Sequence, residues 1–237
     1  METVKRFNTE EFLLEIPYPS RTTSYTPIPH SSVINKIREE ADKNNLIVSS
    51  TNYSTARNGN VVVGNFNFYA DDPRFEMRLM FKNSYDKSVS FGIASGCSVF
   101  VCSNGMVTGE FALKRKHTGD ADYDVDSFIV NALKELNEYY QRVKRDALIL
   151  ETISLINAEV YNILGQLFIE NEIINSMQLN IVKNELFNSK NFNLITSNEF
   201  TAWDLYNAVT ESLKRSHPTT YISDHSNLHN VFKTLFV

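Results

Sequence analysis

The chain has 237 residues, 42% hydrophobic and 22% charged, with a formal net charge of −5. Such a composition belongs to a globular chain long enough to bury a sizeable core, and no apolar run approaches the roughly 20 residues that a bilayer span requires. The charge is unevenly divided. Residues 1–117 hold 14 Lys and Arg against 12 Asp and Glu, whereas residues 118–237 hold 9 against 16. This division argues against whole-surface binding of nucleic acid but permits a basic face on the first half. No signal-peptide core follows the first residues, so the expected location is the cytoplasm.

The opening segment carries Pro17, Pro19, Pro27 and Pro29, which fix extended or turn backbone and remove donors, so residues 1–30 are predicted to form an arm. An arm of this kind is suited to reaching a neighbouring subunit, and a homo-oligomer is expected. Ser31 or Ser32 then caps a predicted helix to about Asn44, with Val33, Ile34, Ile37 and Ala41 on one side.

After this helix the period of the apolar residues becomes two. Leu46 to Ala56 and Val61 to Ala70 read as strands joined by an Asn58-Gly59 hairpin turn, and Asp71-Asp72-Pro73 makes the next turn. Arg74 to Tyr85 alternates most clearly, with Phe75, Met77, Leu79 and Phe81 on one side and Glu76, Arg78 and Lys82 on the other. Ser88 to Ala94, Ser98 to Ser103 and Met106 to Lys114 continue the meander, with a turn at Asn104-Gly105. Cys97 and Cys102 are five apart in one strand segment, which sends them to opposite faces, and the chain has no further cysteine for a four-cysteine zinc site.

From Asp126 the period is helical, with Ile129, Leu133, Leu136, Tyr140, Val143, Ala147 and Leu150 forming one stripe. This helix is the natural cover for the apolar sheet face. The remainder reads as helical, with breaks near Asn188 to Asn193 and His217 to Ser223. The expected fold is therefore α+β: a twisted antiparallel meander covered on one face by a long helix, with additional C-terminal helices. In domain terms this gives the arm, a core over 31–150 and a helical region over 151–237 packed on that core.

Neither a phosphate-binding glycine loop nor a Gly-x-Ser-x-Gly or His-Glu-x-x-His motif is present, so no reaction and no cofactor is indicated. The run Asp120 to Asp126 lacks the glycine and the final glutamate of a calcium loop, and reads as carboxylates gathered at a helix start, with Asp126 or Ser127 as cap. His225 and His229 lie four apart and His217 lies nearby, which makes them candidate ligands for a transition metal, although no carboxylate or cysteine completes the set.

The polar sheet face is the better candidate site. Arg78 and Lys82 share it with Asn65, Asn67 and Tyr69, while Arg57 and the Lys114-Arg115-Lys116 cluster lie at its edges. Cations that hold phosphates and an aromatic ring that stacks on a base suit single-stranded nucleic acid, whereas a solvated face would need no ligand. Near the C-terminus Trp203 and Tyr206 combine with Leu205 and Val209 at helical spacing, a pattern that serves packing or a partner surface.

Asn83-Ser-Tyr-Asp86, the Val99-Phe-Val-Cys-Ser-Asn-Gly105 corner and Trp203-x-Leu-Tyr-Asn-Ala-Val-Thr-Glu211 together resemble a phage- and plasmid-borne family known only as a domain of unknown function. The resemblance implies a mobile-element protein working in the host bacterial cytoplasm near phage DNA metabolism or host takeover, and carries no reaction or site residue with it. The meander with its long helix is also similar, at the level of fold alone, to the strand-annealing proteins of phage recombination. Two functions are therefore expected of such a chain. The first is non-enzymatic nucleic-acid binding by Arg57, Tyr69, Arg78, Lys82, Lys114, Arg115 and Lys116, with an oligomeric single-strand binding or annealing accessory as its specific form. The alternative is an effector that holds a host defence protein through Trp203 and Tyr206.

Overall fold

The computed structural model describes residues 5–6, 9–99, 105–107, 113–188, 200–217 and 219–237. Three antiparallel strands make the centre of the sheet: β2 (Val48–Ala56), β3 (Val61–Tyr69) and β4 (Phe75–Ser84). The short β1 (Lys5–Arg6) adds to β2 at one edge, and β5 (Phe91–Val99) pairs with β4 on the other side. Beyond β5, both β6 (Gly105–Val107) and β7 (Leu113–Arg115) pair with it, completing seven antiparallel strands. The two strands expected over 88–103 are thus one, β5. The corner at 100–104 and the side chains of Cys97 and Cys102 lie outside the described residues.

The register sorts the side chains by face. Phe66 and Phe68 of β3, Met77, Leu79 and Phe81 of β4, and Phe91 and Ile93 of β5 fill the inner face and are buried. Gly64 leaves room for one of them, because a Cβ there would stand 2.2 Å from the Phe81 ring. The β2–β3 connection turns through Arg57, Asn58 and Gly59, all at positive φ, which is why an Asn-Gly pair is found there.

Two helices cover the inner face. In α2 (His30–Lys43) the buried residues are the expected Val33, Ile34, Ile37 and Ala41, joined by His30 and Glu40. The 31-residue α3 (Ala121–Glu151), about 46 Å long, runs a stripe from Val125 through Ile129, Leu136 and Val143 to Leu150 against β4 and β5. It begins five residues before the expected start. Asp122 and Asp124 sit inside its first turn, where the positive helix end favours them. Farther along, the Tyr140 hydroxyl donates to Asp71 at 2.7 Å and so ties the β3–β4 turn to the helix.

The proline-rich segment, which includes the short α1 (Glu10–Glu15), docks on its own subunit. Leu13 and Ile28 belong to the main core, the Tyr25 hydroxyl donates to the carbonyl of Tyr85 at 2.9 Å, and Thr26 donates to Gly119 O at 2.6 Å. His30 closes this junction. Its ring stacks on Tyr85 at 3.8 Å, with one nitrogen 3.0 Å from Gly59 O and the other 2.9 Å from the Asn83 amide nitrogen. Since a carbonyl only accepts and an amide NH2 only donates, the ring is neutral, with its proton on Nε2. Burial pushes its pKa down to about 4.

The C-terminal region is built on β8 (Ser154–Leu155), which pairs with β9 (Phe200–Thr201). Between them lie α4 (Asn157–Gly165), a π-helical turn (Gln166–Glu170) and α5 (Ser176–Asn188). Then α6 (Ala202–Leu213) starts at a capping box, in which Asp204 N–H donates to the Thr201 hydroxyl and Thr201 N–H to the Asp204 carboxylate. The last helix, α7 (Tyr221–Phe236), contributes Leu228 and Phe232 to the same core cluster that holds Leu13 and Phe66. No described helix is long and apolar enough to cross a membrane.

Candidate functional site

The outer face of the sheet is a grid set by strand register. One row across the strands reads Val63, Lys82, Gly92, Lys114; a second reads Asn67, Arg78, Gly96; and Tyr69 and Glu76 stand at the far end. From Glu76 to Lys82 the six residues of β4 separate the two ends by about 20 Å.

This face is not the open, solvated surface that the alternation of β4 predicts. Arg78 is 3% and Lys82 8% exposed. The reason lies in the apolar residues interspersed on the same face: Met80 and Ala94 form a buried cluster with Ile222 and Tyr221, which seats the beginning of α7 across the sheet. Arg78 is held within a polar chain, its Nε donating to Asn67 Oδ1 at 2.8 Å while the Asn67 amide donates to the Ser50 hydroxyl at 2.9 Å. Glu76 accepts from the Ser49 hydroxyl beside it. Arg78 as placed cannot touch a phosphate.

Lys82 differs in its surroundings. Its Nζ donates to the carbonyl of Thr219 at 2.7 Å, leaving two of its three N–H groups for other acceptors. Its stem lies over Gly92, where a Cβ would come within 3.2 Å of Lys82 Cε, so the glycine lets the lysine cross β5 toward Lys114. Burial holds the Lys82 pKa below that of a free lysine, the charge of Lys114 lowers it further, and Asp224 opposes the shift. Asp224 itself is raised by burial, in part offset by hydrogen bonds from Ser216 and Thr220 and by the charge of Lys82. Lys82 and Lys114 therefore act on each other as like charges across Gly92, and Asp224 at the start of α7 offsets part of their positive field.

The remaining expected residues are scattered around this row. Lys114 and Lys116 are exposed on the same side of the β7 strand and its continuation, and among the described residues neither is in an ion pair. Arg115 points the other way and is committed, its Nε donating to Asp124 at 2.6 Å and its Nη2 to the carbonyl of Thr118. Arg57 pairs with Asp86 at 2.8 Å beyond the hairpin end of the sheet. Tyr69 is 57% exposed at the opposite end of the grid.

Trp203 and Tyr206 are not a free partner surface. Tyr206 is fully buried, and Trp203 stacks on it at 5.8 Å and packs edge-on to Phe75. The three histidines are not brought together. His217 is exposed and bonded to Thr219, whereas His225 and His229 are buried in α7, and among the described residues no three His, Cys, Asp or Glu side chains are grouped to hold a metal ion. His229 instead lies 3.1 Å from Asp146 of α3. The signal for this pair is a carboxylate set inside an apolar helix stripe, between Val143 and Leu150.

Neither the curated proteins nor the solved structures give a match to this chain. A family model described as a domain of unknown function, DUF932, matches residues 17–232. That match takes in the whole sheet from β2 to β7, both covering helices and most of α7, so the chain belongs to this family.

Proposed function

We propose that the protein is a non-enzymatic binder of single-stranded nucleic acid that holds phosphates along the Lys82–Gly92–Lys114 row, as an accessory of mobile-element DNA metabolism in the bacterial cytoplasm. The observation that carries this reading is the approach of the two lysines across Gly92. A phosphate between them relieves their mutual repulsion and takes up donors that Thr219 leaves unused. Lys116 extends the positive edge, and the exposed Tyr69 offers a base a ring to stack on at the far end of the face. Arg57, Arg78 and Arg115 support the face through their hydrogen bonds and ion pairs, which removes them from the phosphate-holding set.

Acetylation footprinting tests the proposal. Amine acetylation in the presence and absence of an oligothymidylate is expected to show Lys114 and Lys116 protected by the strand, with Lys183 of α5 unchanged as internal control. Equal acetylation of Lys114 with and without the strand would remove the reading.

A further inference from the structure

We propose that the outward side of α4 and the π-helical turn is a docking stripe for a basic amphipathic helix of a partner protein. It stands apart from the lysine row and does not depend on the nucleic-acid reading.

The inward side of this segment is ordinary: Val160, Ile163, Leu164 and Leu167 are buried. The opposite side of such a helix is normally polar. Here it carries Ala158, Tyr161, Gly165, Phe168 and Ile169, spaced to share one helical face, with Tyr161 58%, Phe168 37% and Ile169 73% exposed. Apolar surface concentrated in this way marks an interaction site more often than single exposed residues do.

Gly165 supplies an independent argument. It lies at the end of α4 where the helix runs on into the π-helical turn, and a Cβ there would meet no atom within 4 Å. Glycine is the poorest helix former after proline, so this chain bears its cost without any packing of its own to explain it. A second backbone approaching over Gly165 supplies the missing reason, and Ala158, two turns earlier, continues the low groove between Tyr161 and Phe168. The π-helical turn, closed by Asn171 N–H donating to Gln166 O at 2.9 Å, sets Phe168 and Ile169 side by side at the end of this groove.

Charge selects the occupant. Glu159, Glu170 and Glu172 border the segment, all exposed, and among the described residues none is in an ion pair. Lysines or arginines flanking an apolar stripe complement this border. A second copy of the chain would present the same carboxylates to them, because a twofold contact places a surface against itself.

The probe is a fluorescent synthetic helix of leucine and lysine in an amphipathic repeat, with a leucine and glutamate helix as its counterpart, titrated against the full chain by anisotropy. The lysine helix is expected to bind, the glutamate helix not, and Tyr161→Ser with Ile169→Ser, or Glu170→Lys, is expected to weaken binding at least about tenfold. The substituted side chains are exposed, so an unchanged circular dichroism spectrum and an unchanged thermal unfolding midpoint identify these losses as local. The proposal is overturned if the lysine helix does not bind, if it binds these variants as well as it binds the wild type, or if the glutamate helix binds equally. It is also overturned if sedimentation shows a self-associated wild type that Ile169→Asp dissociates.

Discussion

Replacing Lys82 with methionine separates a ligand-holding lysine from a structural one. The substitution keeps the length of the stem over Gly92 and deletes the charge. It loses one charge-assisted hydrogen bond to Thr219 O, worth about 1.5–3 kcal/mol. It also removes a buried cation that, among the described residues, is in no ion pair, and the effective penalty for burying such an ion is several kcal/mol, on the order of 3–5. The second term is the larger, so Lys82→Met is expected to raise the unfolding free energy at neutral pH by about 1–2 kcal/mol. The pH dependence gives the sign independently. Because the folded pKa lies below the unfolded one, the unfolded chain holds the proton more tightly, and wild-type stability rises with pH between those two values. The variant is expected to lose that alkaline rise. Urea unfolding at neutral and alkaline pH, paired with oligonucleotide binding, measures both effects: a more stable protein that binds less. A loss of stability in place of the gain would refute the reasoning and make Lys82 an anchor for α7.

The same accounting gives three further expectations. His30 is neutral in the folded chain, with a pKa of about 4 against 6.5 for a free imidazole, so stability present above pH 6.5 is lost as the pH falls toward 4, by about 3 kcal/mol. His30→Gln is expected to flatten that part of the acid unfolding curve. Gly64→Ala forces a methyl into the Phe81 ring and is expected to cost about 1–3 kcal/mol by thermal melting, with Phe81→Leu restoring part of it; additive losses would contradict the clash. Gly165→Ala adds a methyl in open space and is expected to stabilise the free chain by about 0.5–1 kcal/mol, whereas a loss would mean that the glycine serves the fold itself.

Strand and helix types were legible because burial imposes a period. The alternation from Phe75 to Phe81 gave β4, and the stripe from Ile129 to Leu150 gave α3. The start of α3 was misplaced because the acidic run reads as a cap, while the helix end accommodates those carboxylates within its own first turn. The covered state of the outer face was the larger surprise. Arg78 and Lys82 alternate as surface residues do, and only Met80, Ala94 and Val63 on the same face signal that another element sits there. Which element it is depends on the chain folding back from Thr219, a contact separated from Lys82 by 137 residues that no local pattern encodes. Lys114 was placed correctly at an edge of the sheet, but its position one strand beyond Gly92, in line with Lys82, follows only from the register of β5 and β7.

The central claim is that the lysines of the outer row hold phosphates, and the salt dependence of binding tests it most directly. Anisotropy of a labelled oligothymidylate, titrated with wild type and with Lys114→Gln combined with Lys116→Gln over a range of salt concentrations, yields the slope of log K against log salt for each. Two lost phosphate contacts are expected to make the slope shallower by about 1.4 and to weaken binding at low salt. Identical slopes and affinities for the two proteins, or no binding by the wild type at low salt, would contradict the account.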